Sequence, residues 1–157
     1  MSFDAQIRLP DDALLLRYAA GDAEAASALT RRLLPRVFGH ARHMLGEAAE
    51  AEDVAQEAMM RLWRIAPDWR QGDAQVRTWL YRVTANLCTD RLRRRRGVRL
   101  DEIAEPEDPT PSAADRMQSQ ARGDALQAAL AQLPERQRQA VVLRHIEGLS
   151  NPEIAAL

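Results

Sequence analysis

Residues 77–96 read RTWLYRVTANLCTDRLRRRR. Val76, Trp79, Leu80, Val83 and Leu87 recur at three- and four-residue spacing, which predicts a helix with one face in a core. The stretch carries seven arginines (77, 82, 91 and 93 to 96) against one acid, Asp90. The cations thicken toward the C-terminal end, where they complement the negative end of the helix dipole. In a chain of net charge −1, a cationic helix that also presents aromatics points to a focused nucleic-acid contact.

The rest of the composition agrees with a helical protein. Of 157 residues, 29% are charged and only 4% aromatic, and the abundant residues (Ala, Leu, Arg, Glu, Gln) are strong helix formers. All 22 basic residues are Arg and none is Lys, a bias that a GC-rich genome also produces. Charge is unevenly placed: −3 over residues 1–76, +6 over 77–97, −5 over 98–115 and +1 over 116–157. The positive field is thus confined to one helix and followed by an acidic segment. Cys88 is the single cysteine, which rules out an internal disulfide and fits a reducing compartment. Its place in an amphipathic helix predicts an inert buried thiol. No apolar run is long enough to span a bilayer and the N-terminus lacks a signal peptide, so the expectation is a soluble, cytoplasmic protein with no direct membrane insertion.

Working outward, Asp11 and Asp12 are placed to cap a short helix through Ala20, ended by Gly21. Asp22 starts a longer one with Ala26, Leu29, Leu33, Leu34, Val37, Phe38 and Ala41 on its apolar side. Pro35 should kink or divide that helix, and Gly46 closes it. The next helix is expected from about Glu50 to Ile65, with Val54, Ala58, Leu62 and Ile65 as its buried stripe. The loop APDWRQGDAQ (66–75) follows, and Asp73 can cap the arginine-rich helix. The first domain should cover residues 1–97. Residues 98–111, with three prolines and five acids, read as a flexible acidic linker. The second unit, 112–157, contains a helix from near Ser112 to Gln132 and another opened by Pro134 and ended by Gly148. Ser150 and Glu153 have capping-box spacing. Helix, tight turn, helix is how a helix-turn-helix begins, but it stops at Leu157, so the recognition helix is expected to be absent and Ile154 and Leu157 to lack a packing partner.

These residues resemble a bacterial extracytoplasmic-function (group IV) sigma factor of the sigma-70 family. AEDVAQEAMMRLWR (51–64) is similar to the family's region 2.2, and residues 77–96 to its regions 2.3 and 2.4. LPERQRQAVVLRHIEGLSNPEIAAL (133–157) is similar to region 4, cut off within its helix-turn-helix. The resemblance implies an all-α protein of two small domains that is not an enzyme. It would bind core RNA polymerase and direct it to promoter DNA, under control of an anti-sigma factor, which in the family is often membrane-tethered or zinc-binding, and serve a stress-response regulon.

Site residues follow from the matched motifs. Asp53, Gln56 and Glu57, at i, i+3 and i+4, share a helix face; alone they read as a solvated face, whereas the resemblance makes them, with Met60, the polymerase contact. The loop before the arginine-rich helix holds a flipped-out base of the −10 element in the family. Trp69, Arg70, Gln71, Asp73 and Gln75 offer a π face, donors and acceptors for it, or simply a polar loop. Asn86 can pair with an adenine edge or within the domain. Arg82, Arg91, Arg93, Arg94, Arg95 and Arg96 are the phosphate-backbone candidates. Trp79 reads better as core than as a base stacker, and stands beside Leu80 where primary sigma factors have two tryptophans; Tyr81 is a further stacking candidate. The linker carboxylates (Asp101, Glu102, Glu105, Glu107, Asp108) either tether or mimic RNA phosphates. His40 and His43 read as surface histidines without a third ligand, and His145 carries no signal. No nucleophile–base pair or phosphate-binding Gly loop occurs, so no cofactor or metal is expected. The alternative is a helical interaction module that binds a regulator without programming transcription.

Overall fold

The computed structural model describes residues 8–72, 75–101, 118–155 and 157. Every described element is helical: α1 (Asp11–Ala19), α2 (Ala23–Leu45), α3 (Ala48–Ile65), a 3₁₀ turn (Ala66–Asp68), α4 (Val76–Asp101), α5 (Gln118–Ala131), α6 (Glu135–Val141) and α7 (Asn151–Ala155). A π-helical turn over Val142–Ile146 extends α6.

The long helix α2 is the spine. Asp22 caps it by accepting from the amides of Glu24 (3.0 Å) and Ala25 (3.3 Å), which satisfies donors that lack an intrahelical partner. Gly46 ends it in the left-handed region, φ 77°, a conformation glycine adopts without penalty. Between these signals the helix is continuous. Pro35 does not divide it. Packing on both sides of α2 outweighs the one backbone bond that proline removes.

Two apolar layers share this spine. One joins Leu14 and Leu15 of α1, Leu29, Leu33 and Val37 of α2, Leu62 of α3 and Leu80 of α4. The other joins Ala41 and Met44 of α2, Val54 of α3 and Cys88 of α4 to Leu130 of α5 and Val142 of the π turn. The C-terminal unit therefore rests on the same helix that organises the N-terminal bundle.

Several local expectations shift. Asp11 and Asp12 lie in the first turn of α1, whose cap position is Pro10, where their charge still favours the helix dipole. α3 begins at Ala48, and α4 runs past Gly97 to Asp101. Pro134 occupies the cap of α6. The capping box forms: Ser150 N–H donates to Glu153 Oε2 (3.2 Å) and Glu153 N–H to Ser150 Oγ (3.4 Å). Ile154 and Leu157 do have a partner, because both pack on a cluster of Tyr81, Leu143 and Leu149. The Asp73 cap and the linker from Glu102 onward lie outside the described residues.

Removing the α2 cap should be felt globally. Asp22→Ala is expected to lower unfolding free energy by about 1 kcal/mol, measured as a shift in urea midpoint at unchanged slope.

Candidate nucleic-acid and partner interface

α3 divides its residues cleanly. Ala51, Val54, Ala55, Ala58, Met59 and Leu62 are buried, while Asp53, Gln56 and Met60 stand exposed on the other side. Met60 is 49% exposed, an apolar side chain in solvent on a helix with a complete buried face elsewhere. Glu57 is partly covered and accepts from Arg61 Nε at 3.2 Å, one turn on. Asp53 lies 3.8 Å from Arg91 of α4. The four residues thus form one mixed acidic and apolar surface.

The loop after α3 is only in part a free surface. Arg70, Gln71 and Gln75 are exposed. Trp69 packs against the first apolar layer, edge-on to Trp79 at 6.1 Å between ring centroids, and its indole N–H is buried without a partner within the protein. Trp79 packs on the same layer, as its spacing suggested. Asp73 lies outside the described residues.

Along α4, the six candidate arginines separate into groups. Arg82, Arg93 and Arg94 are exposed, as is Asn86. Arg96 donates to Glu135 of α6 at 3.3 Å. Arg95 is engaged inside the fold: its guanidinium donates to the carbonyl of Leu45 (2.9 Å) and pairs with Glu50. It thereby satisfies a carbonyl at the end of α2, a structural task its charge alone did not disclose. Cys88, Leu92 and Arg95 fall at i, i+4 and i+7, so the inward face was readable in retrospect. Cys88 is fully buried, and burial first, then the nearby Glu135, pushes its thiol up to about 12. A thiol so shifted stays protonated and unreactive at neutral pH.

The contact between the two halves had no sequence signal. Tyr81 is not a surface aromatic; it is 1% exposed and donates its hydroxyl to Glu147 Oε2 at 2.6 Å, across 66 residues of chain. Burial is the main reason its pKa rises, with the Glu147 carboxylate second. Arg138 donates to the Met44 carbonyl (2.5 Å) and Gln127 to the His43 carbonyl (3.2 Å), so region after region the C-terminal unit reads the end of α2. His40 is the clearest correction. It is fully buried, edge-on to the Tyr81 ring at 5.6 Å, and neither ring nitrogen completes a hydrogen bond within the protein. It follows Val37 by three and precedes Met44 by four, the periodicity of the core face. His145 is exposed, and no group of three metal-ligating side chains occurs among the described residues. None of their helices is long and apolar enough to cross a membrane.

Comparison with known proteins decides the family. The chain matches Sigma-70 region 2 over residues 29–98 and Sigma-70, region 4 over residues 123–157. The ECF RNA polymerase sigma factor SigM of Mycobacterium tuberculosis is 35% identical over 157 residues, spanning all of this chain and 78% of the relative. This chain belongs to the extracytoplasmic-function sigma factors of the sigma-70 family. SigE of Mycolicibacterium smegmatis is 38% identical over 146 residues, 88% of this sigma chain but 56% of the relative. The fold is also that of CnrH, solved in complex with the cytosolic domain of CnrY: TM-score 0.67 and 23% identity over 93% of this chain and 80% of that one. The N-terminal bundle is therefore region 2 and the C-terminal unit region 4.

Acid should loosen the docking of region 4. Burial, reinforced by His43 and opposed by the nearby Gln139 amide, lowers His40 to about 4 from its usual 6.5. The docked state thus disfavours the proton; its stability is complete above about pH 6.5 and falls as pH drops toward 4. Amide exchange across residues 142–149 is expected to accelerate over that window, and His40→Phe to flatten the dependence.

Proposed function

We propose that this chain is a transcription-initiation factor that docks on core RNA polymerase and directs it to promoter DNA. The polymerase performs the chemistry in the cytoplasm, and the sigma chain supplies recognition. The observation that carries this reading is the exposed face of α3, where Met60 stands in solvent beside Asp53, Gln56 and Glu57. Carboxylates and an amide around an apolar centre suit a partner helix rich in Arg, with the methionine desolvated at the middle of the contact.

DNA would then follow from the 66–75 loop onto α4. Gln71 and Gln75 supply donors and acceptors beside a base, with Arg70 at its edge; Trp69, held against the core, forms a wall of the pocket rather than a freely stacking platform. Asn86 and Arg82, Arg93 and Arg94 are the exposed backbone and edge contacts. Arg91 and Arg96 become available as Asp53 and Glu135 release them.

The docked arrangement has a geometric consequence. The family's −10 and −35 promoter elements lie about 25 base pairs apart by their positions, or about 85 Å at 3.4 Å per base pair. A compact chain of this length has a radius of gyration of about 15 Å. Region 2 and region 4 cannot reach both promoter elements while Tyr81 holds Glu147, so engagement requires the two halves to part. A regulator of the anti-sigma kind would act by favouring the docked state.

Charge reversal tests the reading. Asp53→Arg combined with Glu57→Arg is expected to weaken binding to core RNA polymerase at least tenfold and to abolish directed transcription in vitro, with thermal unfolding unchanged. Equal affinity for core polymerase would reject the docking face. Specific binding to a regulator with no transcription under any condition would favour the interaction module instead.

A further inference from the structure

Helix α4 and the C-terminal unit meet at two polar contacts, Arg96 to Glu135 at 3.3 Å and Tyr81 to Glu147 at 2.6 Å. The pairing reverses chain order, so α4 and α6 with its π turn cross in opposite senses. Between them lies a cleft of about 650 Å³, within the roughly 300–1,000 Å³ of small-molecule sites. The cleft has two unlike ends. Toward Arg96 it carries the guanidiniums of Arg93, Arg96 and Arg136 against one carboxylate, Glu135, which Arg96 already holds. Arg93 and Arg136 are exposed, and among the described residues neither is in an ion pair. Toward Tyr81 the wall turns apolar through Ala140, Leu143 and Ile154, the last two belonging to the cluster around Tyr81. Asn86 and Thr89 continue the α4 wall. Positions 86, 89, 93 and 96 share one stripe of the helix, about 15 Å long at 1.5 Å per residue.

We propose that this cleft binds a free purine nucleoside diphosphate, with its phosphates on the guanidiniums and its base at the apolar end, and that the bound nucleotide clamps region 4 onto region 2. Guanidinium forks bind phosphate oxygens in pairs and hold them in a defined orientation. Three of them at one pole suit two linked phosphates better than a single carboxylate. The other pole supplies what a base needs, an apolar wall for its face and an amide for its edge. Asn86 can make paired hydrogen bonds to an adenine edge. A cleft of this volume encloses one nucleotide rather than a strand that must run on past the contacts at both ends. Because the walls belong to different halves, a ligand touching both binds only the docked state and stabilises it by mass action. It also occupies Asn86 and Arg93, two of the side chains offered to promoter DNA. The binding stands apart from the promoter reading, and only that last consequence rests on it.

The test titrates adenosine diphosphate (ADP) into the full chain by isothermal titration calorimetry. Saturable one-to-one binding is expected, with a Kd below about 1 mM. Arg93→Gln and Arg136→Gln, on opposite walls, should each weaken it about tenfold or more, the weight of a lost charge-assisted hydrogen bond. Arg17→Gln removes the same charge on α1, outside the cleft, and should bind as the wild type does. Circular dichroism melts check that the variants fold. Pyrophosphate is expected to bind several-fold more weakly than ADP, and adenosine not detectably. ADP should also slow amide exchange across residues 142–149, where region 4 docks. Absence of saturable binding would overturn the proposal, as would losses in the two cleft variants no greater than in Arg17→Gln, or unchanged exchange in the ADP-saturated chain. Pyrophosphate binding as tightly as ADP would reduce the cleft to a general anion site. A single-stranded oligonucleotide that displaces ADP and depends equally on Arg136 would assign the cleft to nucleic acid; either result would overturn the proposal. None of these readouts involves core polymerase, so failure of the initiation reading is a separate result.

Discussion

Everything in this fold leans on one constraint: α2 must bury its apolar surface along its whole length. Its N-terminal half is covered by α1, α3 and α4, and its C-terminal half by α3, α4 and the helices of region 4. Each fully buried Leu along it, such as Leu29 and Leu33, contributes roughly 1.5–3 kcal/mol. The partners of α2 need only one apolar face each to satisfy it. That leaves the outer faces of α3 and α4 free to carry Met60, Asp53 and the exposed arginines without cost to the core. The proposed contacts sit where packing makes no demand.

The same spine couples the two halves. The carbonyls of His43, Met44 and Leu45, at the end of α2, accept from Gln127, Arg138 and Arg95 respectively. Terminal carbonyls of a helix need such donors or water, so the end of α2 is a polar socket built by its own termination at Gly46. Region 4 fills it from one side and α4 from the other. The Tyr81–Glu147 bond adds a charge-assisted contact, and His40 a neutral ring that must stay neutral while docked.

Local signals in the chain were strong wherever the physics was local. Asp22, Gly46 and the Ser150–Glu153 pair mark helix ends through contacts within four residues, and each forms as its spacing indicates. The apolar stripes of α3 and α4 were likewise readable from period alone. Pro35 misled, because a proline's local cost says nothing about the tertiary burial that offsets it. The candidate site was legible in composition but not in commitment. The seven arginines of residues 77–96 look equivalent, yet Arg95 closes the end of α2, Arg96 meets Glu135 and Arg91 faces Asp53. Those assignments depend on partners 38 to 50 positions away. Tyr81 changed from surface to interior because Glu147 of region 4 reaches it across 66 residues, which nothing nearby in the chain records, whereas His40 lies on the core-face periodicity of Val37 and Met44 and was readable from it.

The central claim is that region 4 docks on the end of α2 and must leave it for promoter engagement. Spin labels at Ala19→Cys on α1 and His145→Cys in region 4, both exposed positions, report that separation directly, since buried Cys88 will not compete for label. Double electron–electron resonance is expected to give one short, narrow distance distribution for the free chain. Binding to core RNA polymerase and promoter DNA should replace it with a longer one. A transcriptionally active complex that retains the short distance would contradict the account.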